Sequence, residues 1–427
     1  MQTLLLSLLR FFAKLIIERH RPYIIGVTGT VGKTTQTTYI TRFLREVYGE
    51  RNVGASKYHY NGEYGLPLTI IGTKTGGKNP FLWIKVFFVA LSRLFSPYPR
   101  YLVLEYGIDH PGEMEYLLSI AKPHIAILTP VAPNHLEQFW TLEKYRDAKL
   151  LLPKHAREIA IIHDSQAEFI EWENIFYYGK KIGSTWHVHA TKQTLDALHI
   201  DIVIEWDKIS LSLPVFGDYQ AENILPLFAL SSHLNIDKNV ISKKSFLFSP
   251  EPGRSNIIKW KNDSTIIDGS YNGGFESIVK WLESLIPFID SHRIICFLGD
   301  MRELWDHSER IHNELAKIIE SIFSKNKDIY FFLVGKEMIK YVAPNIEKEF
   351  HTVTTRSSLE AGKKIANLLK KEEKPTLIYV KWSQNTIFLE EWIKAFLSDT
   401  SDAKHLCRQS DDWIEKKEVY FRTLSLK

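Results

Sequence analysis

Tyr23-Ile24-Ile25-Gly26-Val27-Thr28-Gly29-Thr30-Val31-Gly32-Lys33-Thr34-Thr35 is the stretch on which the reading of this chain turns. Residues 23–27 form a short apolar run that ends in Thr-Gly, and a Gly-Lys-Thr-Thr start to a helical pattern follows. That order is strand, phosphate loop, helix. Glycines let the backbone curl so that successive N–H groups face a phosphate. The N-terminus of the following helix adds its partial positive charge. Lys33 is then placed to neutralise the β- and γ-phosphates of a nucleotide, and Thr34 to offer its hydroxyl to Mg²⁺, which by itself leaves kinases, GTPases and ligases open. Gly29, Thr30, Gly32 and Thr35 complete the nucleotide-binding candidates of the loop. The general pattern wants glycine at position 27, where this chain has Val27, with Gly26 one residue early. A chance Gly-Lys-Thr is the alternative, and the flanking strand and helix favour the nucleotide site.

Outward from the loop, residues 101–104 and 125–128 are further short, buried-type strands, and helices and strands alternate. A P-loop domain with a mostly parallel α/β sheet follows. Residues 202–205 and 209–213 read as an antiparallel extension. Ser249-Pro250-Glu251-Pro252-Gly253 is a natural hinge or linker. Beyond it, residues 265–267, 294–298, 330–334 and 376–380 restart the alternation as a second, Rossmann-like α/β domain. The expected organisation is an apolar or amphipathic helix over 1–22, a central nucleotide-binding domain over 23–250, a second domain over 251–400 and a charged tail over 401–427.

A chain of 427 residues is too long for one ordinary core, which agrees with more than one domain. Its 44% hydrophobic and 24% charged content is a soluble globular balance. Its 54 basic against 50 acidic side chains leave too small an excess to argue for a nucleic-acid partner. Cys296 and Cys407 lie far apart without metal-ligand spacing, so a disulfide framework or zinc site is disfavoured and a reducing compartment, the cytoplasm, is expected.

Residues 4–17 read LLLSLLRFFAKLII, too short to span a bilayer and without a small-residue cleavage site after them. Arg10 and Lys14 share one helix face. The favoured reading is a helix packed on the first domain. The alternative is an amphipathic helix lying on the inner face of the cell membrane, so that residues 1–20 make a peripheral contact. Residues 81–95, FLWIKVFFVALSRLF, carry the same two readings, and the two segments could pack on each other.

Further motifs follow the loop in order. They are Tyr60-Asn61-Gly62-Glu63-Tyr64-Gly65-Leu66-Pro67-Leu68-Thr69, Leu104-Glu105-Tyr106-Gly107, Pro111-Gly112-Glu113-Met114, Asn134-His135-Leu136-Glu137 and Ala148-Lys149. With the phosphate loop they resemble the Mur ligase family, and most of all its branch that adds D-alanyl-D-alanine to a UDP-MurNAc-tripeptide. The resemblance runs from about Ile24 to about Trp392. Any one run is weak; the shared order and spacing carry the likeness.

The resemblance implies an ATP-dependent peptide ligase of peptidoglycan synthesis that activates a carboxylate as an acyl phosphate and joins it to an amine. The carboxylate partner would be a muramyl-peptide-like substrate, and the amine D-Ala-D-Ala or another amine. It implies Glu105 and His135 as metal ligands beside Thr34, and a carbamylated lysine at Lys149 as a further ligand. For Lys149 the plain alternative is a solvated helix lysine beside Arg146. Asn223 matches an asparagine near the adenine, although Tyr219 stands where the family has histidine; a helix cap is its plain alternative. Pro252-Gly253-Arg254 resembles the family's Pro-Gly-Arg, whose arginine faces the phosphates on domain closure. Asp268-Gly269-Ser270-Tyr271-Asn272 and Leu298-Gly299-Asp300-Met301-Arg302-Glu303-Leu304 match further runs. They make Asp268 a nucleotide-side candidate and Asn61, Glu63, Tyr271, Asn272, Asp300 and Glu303 substrate-side candidates. Lys381-Trp382-Ser383-Gln384 stands where the family has Lys-Gly-Ser-Arg; Lys381 and Ser383 could contact an anionic substrate, with an ordinary loop as the alternative.

The family usually carries an N-terminal domain for the UDP end of its substrate, and only 22 residues precede Tyr23. That leaves two other readings open: a related ligase with a different carboxylate and amine, lipid-linked or poly-amino acid, or an inactive ATP-binding membrane partner.

Overall fold

The computed structural model describes residues 2–56, 62–77, 79–132, 136–170, 172–180, 186–204, 207–260, 264–271, 273–301, 304–324, 328–369, 375–381, 388–394, 397, 403–404 and 406–425. It divides into two compact units. The first takes Met1–Thr191, Ile200–Leu211 and Ala221–Phe248; the second takes Lys192–His199, Ser212–Gln220 and Ser249–Lys427.

The chain opens with α1 (Gln2–His20), β1 (Tyr23–Thr28), α2 (Lys33–Tyr48), β2 (Val53–Ala55), α3 (Gly62–Ile71), α4 (Pro80–Arg93) and β3 (Tyr101–Glu105). It continues through α5 (Glu113–Ile120), β4 (Ile125–Leu128), α6 (Leu136–Phe139), α7 (Leu142–Lys154), β5 (Ile159–His163) and β6 (Ile175–Gly179). Then come β7 (Trp186–Gln193), β8 (Leu198–Ile204), β9 (Asp207–Leu213), α8 (Leu225–His233) and α9 (Asn239–Lys243). The sheet order is β2-β3-β1-β4-β5-β6-β7-β8-β9. Every pair from β2 to β7 is parallel. β3, β4 and β5 are buried along their length, as interior parallel strands must be, which is why they read as continuous apolar runs. The Asp201–Ser210 and His199–Ser212 side-chain bonds step in opposite directions along β8 and β9, so this hairpin is the antiparallel extension.

β1 lies between β3 and β4, with Val27 beside Glu105 and Thr28 beside Leu128. The chain leaves β1 toward one edge, returns through β3, and then builds outward on the other side. The carboxyl ends of these three strands therefore meet at a topological switch point, where open α/β sheets bind ligands.

The second unit contains β10 (Asn256–Lys259), β11 (Thr265–Gly269), α10 (Phe275–Ser284), β12 (Arg293–Gly299), α11 (Ser308–Phe323), β13 (Ile329–Val334) and α12 (Ala343–Ile346). It ends with β14 (His351–Thr355), α13 (Ser358–Leu369), β15 (Thr376–Lys381), α14 (Glu390–Ile393) and α15 (Asp411–Ser425). Its order is β10-β11-β15-β12-β13-β14, parallel except for the β10–β11 pair. On β12, Ile294, Cys296 and Leu298 enter one core with Trp281 and Leu315, while Ile295 and Phe297 enter the other with Ile365 and Trp392. The two-residue period of a strand thus feeds two opposite faces. The charged C-terminal residues are folded into this unit. Leu406 joins the core, and Lys417, 3% exposed, reaches Glu391 Oε1 at 2.6 Å. No described helix is long and apolar enough to cross a membrane.

Candidate functional site

The loop between β1 and α2 is held by its neighbours. Gly29 has φ +139°, and a Cβ there would lie 2.0 Å from Thr129 Oγ1, so only glycine fits. Gly32 has φ +89° and stands as the N-cap of α2 without a side-chain cap bond. The carbonyl of Pro130 accepts from Thr30 N at 2.9 Å and from Val31 N at 3.3 Å. A backbone carbonyl makes these bonds, so a proline at this position serves the loop. Thr30 Oγ1 donates to Ala132 O at 3.2 Å and closes the loop against the segment after β4. Lys33 Nζ reaches Thr30 O at 3.2 Å, arching back over the loop that it would serve. Thr35 lies in the first turn of α2. Asn223 presents its carbonyl to Gln36 Nε2 at 2.5 Å, and its Oδ1 would lie 3.2 Å from a Cβ on Gly32. It therefore borders the loop rather than capping a helix.

Thr34 Oγ1 donates to Glu105 Oε2 at 3.2 Å. Glu105 ends β3 and is 5% exposed. A hydroxyl and a carboxylate at this spacing are the oxygen donors a hard cation takes. Lys149, on α7, is 1% exposed, which overturns the solvated-lysine alternative. Burial first, and then Lys33, push its ammonium well below the usual lysine range; Asp109, Glu105 and Glu113 oppose them. Its Nζ sits 4.6 Å from the centre of the Tyr145 ring. Sequence reasoning gave no role to Asp109, Glu113 and Tyr145, although Pro111-Gly112 marks the turn that delivers Glu113. Glu113 Oε2 accepts from Asp109 N at 2.6 Å and from His110 N at 3.1 Å, which fixes the loop after β3. Glu63, near the start of α3, has its carboxyl raised by burial and then by Glu113. The first unit thus gathers Lys33, Thr34, Glu105, Asp109, Glu113 and Lys149 around the end of β3.

In the second unit, Asp268 sits on β11, 1% exposed, and its Oδ1 accepts from Ser270 N at 2.9 Å. Its Oδ2 is buried without a hydrogen-bond partner among the described residues, and burial raises its carboxyl. Lys381 ends β15, 6% exposed, with Nζ 5.0 Å from the Trp281 ring centre. Burial, then Arg254, push its ammonium down to about 7, against the pull of Asp268. Arg254 Cζ lies 4.5 Å over the Tyr271 ring. Arg408 lies 5.0 Å from the same ring and donates to Ser270 O at 3.0 Å and to Tyr271 O. It is 7% exposed and pairs with Glu390 at 3.5 Å. Lys417 Nζ in turn holds Arg408 O at 2.7 Å. Arg408 escaped the sequence reading because well over a hundred residues separate it from the loop it holds.

Asp300 is placed differently from the other candidates. Its Oδ1 accepts from Met338 N at 2.8 Å, and a Cβ on Gly335 would collide with its carboxylate. It ties the end of β12 to the turn after β13. Asn61, His135, Asn272, Glu303 and Ser383 lie outside the described residues. Among the described residues, no group of three or more His, Cys, Asp and Glu has metal-holding geometry. The described donors for a cation are therefore Thr34 and Glu105, with Lys149 beside them.

Residues 27–231 match the Mur ligase middle domain. The chain is 28% identical over 301 residues to the UDP-N-acetylmuramoyl-tripeptide–D-alanyl-D-alanine ligase of Synechocystis sp., covering 70% of this chain and 60% of that one. It is 25% identical over 362 residues to the enzyme of the same name from Haemophilus influenzae, covering 79% of this chain and 73% of that one. The chain thus spans under two thirds of the first relative. Among solved structures, MurF from Acinetobacter baumannii superposes with a TM-score of 0.74 at 19% identity, covering 92% of this chain and 80% of that one. MurF ligase from Thermotoga maritima in complex with ADP gives 0.70 at 21% identity, covering 93% of this chain and 84% of that one. These structural likenesses establish a shared fold.

Proposed function

We propose, for a chain whose residues 27–231 match the Mur ligase middle domain, an ATP-dependent amide-bond ligase of cell-wall precursor synthesis. Its substrates would be a muramyl-tripeptide-type carboxylate and D-Ala-D-Ala. The observation that carries this reading is the meeting of Lys33, the Thr34–Glu105 pair and buried Lys149 at one switch point.

In the proposed reaction a carboxylate oxygen attacks the γ-phosphorus of ATP in line, the bond to the β-phosphate oxygen breaks, and ADP leaves. The amine then attacks the acyl carbon, the C–O bond to phosphate breaks, and the amine loses a proton as the amide forms. Two anions must approach in the first step. Lys33 offsets their repulsion over the β- and γ-phosphates, and Gly29 and Gly32 let the backbone come close. Thr34 and Glu105 fit Mg²⁺ through hard oxygens, and the ion when bound supplies charge neutralisation at the transferring group. Lys149 is buried and held toward its neutral form, which is the form that adds CO₂. The amine nitrogen bonds carbon, a proton leaves, and the resulting carbamate offers oxygens to a cation. Arg254 gives the second unit a permanent cation for an anionic substrate, and Lys381 a second one when the bound anion holds its proton. A peripheral membrane location through residues 1–20 belongs to the same proposal, supported by the exposed Leu4, Leu8 and Phe11 of α1.

The test is a phosphate-release screen with UDP-MurNAc-tripeptide and D-Ala-D-Ala, beside other dipeptides and amino acids. Release that requires both carboxylate and amine supports the ligase. Release with a different pair reassigns the substrates, and ATP hydrolysis indifferent to both removes the ligase reading.

A further inference from the structure

Helix α1 buries Leu9, Ala13 and Ile16 completely in the first unit's core, yet leaves Leu4 66% and Phe11 56% exposed on another face. Helix α4 does the same, burying Val86 and Ala90 while Phe81, Ile84, Phe88, Leu91 and the following Phe95 stand out, Phe95 at 84% exposure. Their spacing of three and four residues places them on one stripe of the helix. The helices are neighbours, with the Phe12 and Phe87 rings 5.7 Å apart. Two adjacent helices thus both turn large apolar side chains to solvent, more than scattered surface residues would give.

The charges carried by the two segments themselves are one-sided. Residues 1–22 carry Arg10, Lys14, Arg19 and Arg21 against Glu18. Residues 64–104 carry Lys74, Lys78, Lys85, Arg93 and Arg100 and no acidic residue. These segments hold nine of the 54 basic and one of the 50 acidic side chains, so the remaining 45 basic and 49 acidic leave the rest of the chain net negative. A second copy would bring the same positive segments face to face, which disfavours self-pairing. An anionic lipid surface complements both the charge and the apolar stripes.

We propose that the exposed faces of α1 and α4 form one docking surface that lies in the interface of an anionic bilayer. Phe81, Phe88 and Phe95 enter the acyl boundary while the basic residues meet headgroups. This extends the membrane reading of residues 1–20 to a second helix, and it stands apart from the ligase reading because lipid binding needs neither nucleotide nor substrate.

The experiment is co-sedimentation of the full chain with phosphatidylcholine vesicles, with and without phosphatidylglycerol. It compares wild type, Phe81→Ser/Phe88→Ser/Phe95→Ser, and Leu4→Ser/Phe11→Ser, with thermal midpoints to show that each variant folds. Wild type is expected to partition on the order of tenfold more onto the anionic vesicles, less so in high salt, and each variant to lose on the order of tenfold. Absence of binding to anionic vesicles would overturn the proposal. So would anionic binding that the α4 variant leaves unchanged, or a concentration-dependent dimer that the same substitutions dissolve.

Discussion

Each unit buries a lysine whose ammonium is pushed down, Lys149 in the first and Lys381 in the second, and the two are surrounded by opposite charge. Lys149 is 1% exposed and Lys381 6%, and burial is the largest cause of the lowered ammonium in both. Lys149 faces three carboxylates, Asp109, Glu105 and Glu113, with Lys33 as the other cation. Lys381 faces one carboxylate, Asp268, with Arg254 as the other cation. The first surrounding has acid to spare and suits a bound cation. The second has base to spare and suits a bound anion. Equal burial therefore prepares two lysines for different chemistry, and the neighbours decide which.

Lys33→Ala removes the cation placed over the phosphates and is expected to cost about a thousandfold in phosphate release, read in a steady-state assay. An equal rate would break the acidic side of the comparison. In the second unit, Arg408→Ala leaves Glu390 buried beside Lys417 alone and loosens the 268–271 loop. The expected loss is about 3 kcal/mol in denaturant unfolding, with faster amide exchange at Tyr271. No change would mean that Arg408 holds nothing.

Lys149→Ala should lower turnover about a hundredfold, while Lys149→Glu, which restores an anion, keeps more of it. Wild type equilibrated with carbon-13 bicarbonate should show a carbamate signal that both variants lack. Its absence would leave Lys149 a plain amine. The Lys381 side of the comparison is read in the pH dependence of stability. The ammonium's folded value is near 7 and its unfolded value 10.5, so between them the unfolded chain binds more protons and stability rises with pH. The gain begins above about 7, is complete above 10.5, and is bounded at ~5 kcal/mol. The denaturation midpoint of wild type should therefore climb from pH 7 to 9.5 relative to Lys381→Met. Parallel curves would place the Lys381 ammonium near its ordinary value.

β1, β3, β4, β12, β13 and β15 were legible because they follow apolar runs that nothing polar interrupts, while β5, Ile-Ala-Ile-Ile-His and equally buried, was not singled out. β14, with the sequence His-Thr-Val-Thr-Thr, and β7, largely exposed with His and Lys along it, carry no such run and escaped notice. Their places come from pairing with neighbours, which local composition does not record. Lys33 and Thr34 were legible because a phosphate loop is local. Lys149 could be singled out only through the family resemblance: Tyr-Arg-Asp-Ala-Lys reads as a wet helix face, and its burial depends on chain far away. Asp109 and Arg408 are of the same kind, each set by a fold contact rather than by a motif.

The proposed ligase must phosphorylate a carboxylate. A tripeptide substrate whose reacting carboxylate carries oxygen-18, turned over with ATP and D-Ala-D-Ala, reports this directly in the inorganic phosphate. One labelled oxygen per phosphate released is the predicted result. Product formed with unlabelled phosphate would contradict it.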